Sequence, residues 1–148
     1  MKKARWYIFP AAVALVCLIN LKGWAGDPSG QAENLNRLRD AWGIQARSLR
    51  LTAGGNMLDF RYQVTDPEKA SALFKGKDTK PYLIDQATGA VLRIPFLANL
   101  GDMRTNMKNP VEGKVYFMLF ANPGMLVKKG GEISFVVGGL TVQNLTVE

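Results

Sequence analysis

The sequence predicts an all-β fold, an immunoglobulin-like antiparallel β-sandwich of about seven strands, preceded by an N-terminal signal segment and a short amphipathic helix. Three observations predict it. Apolar residues alternate with polar ones through most of the chain after residue 43, the period of a half-buried strand. Short connections carrying turn residues separate these runs, which makes neighbouring strands mostly antiparallel. Seven such runs fall within about a hundred residues, the size and strand count of an immunoglobulin-type sandwich, although the Cys–Trp–Cys pattern of antibody domains is missing. An open barrel is the competing all-β arrangement.

Residues 1–25 read as a signal peptide. Met1-Lys2-Lys3-Ala4-Arg5 is a basic head, residues 6–21 are apolar apart from Pro10 and Asn20, and Gly23-Trp24-Ala25 sets small residues at the −3 and −1 positions of a cut after Ala25. At about 1.5 Å per residue the apolar stretch spans roughly 24 Å, short of a hydrocarbon core of about 30 Å. Cleavage is therefore favoured over an uncleaved anchor. Val16 is too large for the position before a lipid-modified Cys17. The expected location is exported, periplasmic or extracellular, with membrane contact only through the N-terminal segment if it is retained.

Cleavage changes the charge. The whole chain carries 19 basic and 12 acidic residues, net +7. The segment 1–25 removes Lys2, Lys3, Arg5 and Lys22 and no acid, leaving 15 against 12, net +3. So small an excess on an exported chain argues against nucleic acid as a partner. Loss of Cys17 leaves the mature chain without cysteine, so its stability rests on burial alone.

Residues 26–43 form a linker and a short helix. Residues 27–30 are polar. Leu35, Leu38 and Trp42 then fall at i, i+3 and i+7, one apolar stripe, with Gly43 at the place of a left-handed cap. Trp42 is expected to anchor this helix on the domain.

Residues 44–148 form the sandwich. Residues 44–51 alternate, but the parity slips between Ala46 and Leu49, as a β-bulge would make it. Ala53-Gly54-Gly55-Asn56 turns the chain into Leu58, Phe60, Tyr62 and Val64, which alternate with Asp59, Arg61, Gln63 and Thr65. Asp66-Pro67-Glu68 reads as a helix N-cap, a proline at N1 and an acid in the first turn, followed by Ala70, Leu73 and Phe74 as an apolar face. Gly76-Lys77 lies in a basic loop with Lys75 and Lys80. It is no phosphate loop, because Ser71 stands where that motif's first glycine belongs and Asp78 where its Ser or Thr belongs.

A second hairpin spans residues 81–85 and 90–94 around Gln86-Ala87-Thr88-Gly89. Residues 114–121 are apolar on both parities, which suits a central strand covered on both faces. Asn122-Pro123-Gly124 breaks that run. Ile133, Phe135 and Val137 alternate, Gly138-Gly139 is a two-residue turn, and residues 140–147 make the last strand, with a parity change at Gln143-Asn144.

The composition excludes several chemistries. With no His, a Ser–His or Cys–His pair, a His-liganded zinc and a histidine switch are all ruled out. No serine lies in Gly-x-Ser-x-Gly. Carboxylates such as Asp59, Asp85, Asp102 and Glu112 stand where aspartates serve strands and turns, so no catalytic residue is assigned and the protein is read as non-enzymatic. No cofactor is expected. No metal site is assigned either, although Met103 and Met107, four apart, and Met125 offer the thioethers that Cu(I) favours. Arg104 and Lys108 beside them would repel a cation.

Residues 95–113 stand out as a connection without regular periodicity, long for a compact sandwich. Phe96, Leu97, Leu100, Met103 and Met107 are interleaved there with Arg104 and Lys108. Such a loop is either a flap packed over one sandwich edge or a surface for a partner. These seven residues, with Met125 in the nearby turn, are the candidate partner-binding set. The function expected is that of an exported binding or accessory module presenting loops or a sheet edge to another envelope protein. The alternative is a periplasmic small-ligand or Cu(I)-binding protein using the loop methionines.

Overall fold

The computed structural model describes residues 28–75, 79–105 and 108–148, so the signal segment and the Gly76-Lys77 loop lie outside the described residues. Helix α1 (Pro28–Trp42) starts earlier than its apolar stripe indicates. Pro28 opens it, because a proline's fixed φ suits the first helical position and its missing N–H is not needed there. Gly43 ends the helix at φ 59°, its N–H donating to the Arg39 carbonyl at 2.9 Å. A Cβ at Gly43 would lie 2.5 Å from the Asp66 carbonyl oxygen, so both the backbone angle and the close approach require glycine.

The strands that follow are β1 (Ile44–Thr52), β2 (Met57–Val64), β3 (Tyr82–Asp85), β4 (Val91–Arg93), β5 (Phe96–Leu97), β6 (Gly101–Asp102), β7 (Val115–Ala121), β8 (Glu132–Val137) and β9 (Leu140–Thr146), with helix α2 (Pro67–Lys75) between β2 and β3. The seven alternating or apolar runs of the sequence correspond to β1–β4 and β7–β9. Asp66 caps α2 through its Oδ1, which accepts the Glu68 and Lys69 N–H groups.

All pairing is antiparallel, in two main ladders with strand orders β1-β2-β7 and β4-β3-β8-β9. This is a sandwich of three and four strands, not a barrel. In the constant-type immunoglobulin arrangement the fourth strand joins the sheet of the first, second and fifth. Here the fourth, β4, pairs with the third, β3. Both sequence parity breaks are register shifts, between Ala46 and Ser48 in β1, and opposite Asn144, which sits at φ 61° in β9.

The inner faces meet through Phe60 and Phe135, stacked at 4.8 Å between centroids, with Phe120 edge-on to Phe135 at 6.4 Å. All three rings are buried, each contributing about 1.5–3 kcal/mol of burial free energy. α1 lies along one seam of the sandwich, touching β1 and β9. Leu38 on α1 is fully buried, and Leu35 and Trp42 pack against the core. Below the helix, the Glu148 N–H donates to the Leu49 carbonyl at 2.9 Å. The other seam lies between β4 and β7, and residues 95–105 run along it. Among the described residues no helix is long and apolar enough to cross a membrane.

Two expectations need correction. β7 is not covered on both faces: Tyr116, Met118 and Phe120 are buried, whereas Val115 and Phe117 on the other face are exposed. Its neighbours within the sheet are β2 on one side and residues 103–105 on the other. Nor is the segment 95–113 without strands. β5 and β6 pair as a small ribbon, and Arg104 bridges Met118. Two-residue strands carry no period that a sequence reading can detect.

Candidate functional site

The long loop is built onto the body by backbone hydrogen bonds. Phe96 pairs with Asp102 and Leu97 with Gly101. The Met103 N–H donates to the Pro95 carbonyl at 3.0 Å, and the Met103 carbonyl accepts from Leu119 at 2.9 Å. The Thr105 N–H donates to the Phe117 carbonyl, and the Thr105 hydroxyl accepts from the Phe117 N–H. Residues 103–105 thus extend the β1-β2-β7 ladder by a short fourth partner. The far end of the loop is held as firmly. The Gly113 N–H donates to the Val64 carbonyl, Gln63 Nε2 donates to the Gly113 carbonyl, and the Val111 N–H donates to the Tyr116 hydroxyl.

This anchoring leaves the ribbon's own side chains in solvent. Phe96 is 70% exposed, Leu100 81% and Leu97 40%. The flap reading required these side chains to pack over the sandwich edge, and they do not. A two-residue ribbon has no second layer to bury them, and its turn is closed by the Leu100 N–H donating to the Leu97 carbonyl.

Beside the ribbon, at the seam, is a cleft of about 270 Å³. Phe96, Ile94 and Pro81 supply its apolar walls, Lys80, Arg93 and Arg104 its cations, and Asp102 its one carboxylate. Arg104 bridges the inward-facing Met118, so its side chain enters the space between the sheets and is 16% exposed. Its Nη2 lies 3.5 Å from Asp102 Oδ2, and Lys80 Nζ lies 3.9 Å from Asp102 Oδ1. The Lys80 side chain is 70% exposed, so its pairing contributes about 1 kcal/mol at most. Arg93 lies over the Tyr82 ring at 5.8 Å from its centroid. Behind Arg104 stands the buried Tyr62. Burial holds its phenol well above the ordinary tyrosine range, the nearby Arg104 charge partly offsets this, and Tyr116 adds a little to it.

The remaining predicted residues divide. Met103 and Arg104 are half-buried against β7, Lys108 is exposed, and Met107 lies outside the described residues. Met125 is exposed and sits elsewhere, over the turn between β1 and β2, where a Cβ on Gly55 would be 3.4 Å from its sulfur. Phe96, Leu97, Leu100, Met103 and Arg104 are thus brought to one seam, while Met125 is set on a different turn. Among the described residues, no three or more His, Cys, Asp or Glu side chains come together as a metal site. The sequence reading did not single out Arg93, Ile94 or Lys80, and it weighed Asp102, inside the loop, only as a carboxylate. Arg93 and Ile94 adjoin the loop in sequence, the β3–β4 pairing brings Lys80 to it, and no local motif marks any of the three.

No family model, curated protein or solved structure matches this chain.

Proposed function

We propose that the protein is an exported, non-catalytic module that binds another protein of the cell envelope through the β5–β6 ribbon and the seam beside it. One observation carries the reading: Phe96 and Leu100 are 70% and 81% exposed on a ribbon whose backbone is pinned to β7. Burying them against a partner gains roughly 1.5–3 kcal/mol each before the cost of association. A pinned backbone keeps that cost low, because little ordering is left to do on binding.

Loop contact is favoured over strand addition. The β4 edge is only three residues long, the β7 edge is partly taken by residues 103–105, and the β1 and β9 edges each carry a register shift and touch α1. Export is supported by the basic head, apolar stretch and small-residue cut site of residues 1–25.

Native mass spectrometry of the protein released gently from its own envelope tests both parts. The expected species is a chain beginning at Gly26 with a second protein attached. Phe96→Asp with Leu100→Asp should remove that second protein while the thermal midpoint stays within a few degrees, since neither side chain is buried. A double variant that keeps its partner, or one that unfolds, would overturn the ribbon reading.

A further inference from the structure

The cleft next to the ribbon has a chemistry of its own. About 270 Å³ is room for one or two side chains, below the size of a usual small-ligand pocket. Three cations line it against one carboxylate, Asp102. Arg93 has no carboxylate within 4.0 Å among the described residues, and Lys80 reaches Asp102 only at 3.9 Å with most of its side chain in solvent. Among the described residues the cleft therefore carries more positive than negative charge, from a recessed Arg104 and the exposed Lys80 and Arg93, and Phe96 belongs both to its apolar wall and to the exposed ribbon.

We infer that the cleft receives an acidic side chain of the partner, so that the segment recognised is a carboxylate flanked by a large apolar residue. The inference rests on the ribbon reading above and adds the partner's chemistry to it. The carboxylate sits between Lys80 and Arg93, in the field of the fixed Arg104 charge, and the neighbouring apolar residue lies on Phe96 and Leu100. Charge-assisted hydrogen bonds to arginine and lysine are about twice as strong as neutral ones, and the low exposure of Arg104 limits screening of its field. An anionic membrane is disfavoured as the occupant. Interfacial binding draws on the long apolar face of an amphipathic element with a basic opposite face, whereas here three exposed apolar residues sit on a short ribbon and a carboxylate, Asp102, stands among the cations.

The test uses a phage-displayed library of random short peptides panned on the mature protein. Enriched sequences are then synthesised with a fluorophore and measured by anisotropy, each with its carboxylates intact and with them changed to amides. Expected are enriched peptides pairing Asp or Glu with an apolar residue, and binding at least about tenfold weaker for the amide forms and for Lys80→Glu with Arg93→Glu. Both positions are exposed, so that variant should fold as the wild type does.

If peptides enrich but bind equally well as amides, or equally well to the charge-reversed variant, the acidic-segment inference fails. The ribbon reading then survives provided Phe96→Asp with Leu100→Asp abolishes the binding. If no peptide enriches while vesicles containing phosphatidylglycerol sediment the protein and phosphatidylcholine vesicles do not, the anion is a lipid headgroup and the inference is overturned. If neither peptides nor vesicles bind, it is overturned too, and the co-purification experiment alone judges the ribbon.

Discussion

Asn122 shows how much one polar residue can hold. It is fully buried, its Nδ2 donates to the Gly55 and Val127 carbonyls at 2.8 Å each, and its Oδ1 accepts from the Val127 N–H at 3.0 Å. It ties the turn after β7 to the turn between β1 and β2. Asn122→Ala strands three backbone groups at once, and urea unfolding should show a loss of about 2–4 kcal/mol. A loss under about 1 kcal/mol would mean that water replaces the clasp. Tyr62 makes a pH prediction. Its folded phenol holds the proton more tightly than an unfolded tyrosine, which ionises near pH 10. Stability from this group is therefore complete below about pH 10 and is lost as pH rises above it, because only the unfolded state then releases the proton. Tyr62→Phe should flatten the alkaline decline in stability by up to about 1.4 kcal/mol per pH unit. Equal slopes in the two proteins would refute the assignment.

Helix α1 and the β8–β9 hairpin depend on each other. A Cβ on Gly138 would lie 2.3 Å from the Trp42 ring, whereas one on the neighbouring Gly139 would meet nothing within 4 Å, and both glycines have positive φ. Both substitutions put an alanine at positive φ, 52° and 80°, but only Gly138→Ala also meets Trp42. The expected gap is about 1–3 kcal/mol, Gly138→Ala being the worse, accompanied by a shift in tryptophan fluorescence. Equal costs would show that Trp42 can move without loss, and that α1 sits loosely on the seam.

Across the molecule, what was legible in the sequence was whatever has a period. Leu58, Phe60, Tyr62 and Val64 announce a strand because each faces the same core. Gly138-Gly139 announces a turn because two successive residues need positive φ. Even the bulges showed as parity slips. β7 misled, since Val115 and Phe117 look like core residues by type while facing outward. The site was half legible. Phe96, Leu100 and Arg104 drew notice as apolar and basic residues in a loop of unusual length. Lys80 did not, because its relation to the loop exists only after β3 and β4 have paired, and Arg93, although next to the loop in sequence, lies in a strand with no mark of a site. The pairing of β2 with β7 carries a consequence for time. Their partners, from Met57↔Ala121 to Gln63↔Val115, stand about 50–65 residues apart in the chain, and no turn brings them together. Much of the intervening chain must be gathered before that ladder yields any return. Folding should therefore take milliseconds to seconds in a stopped-flow experiment, whereas a helical chain of this length would finish in microseconds to milliseconds.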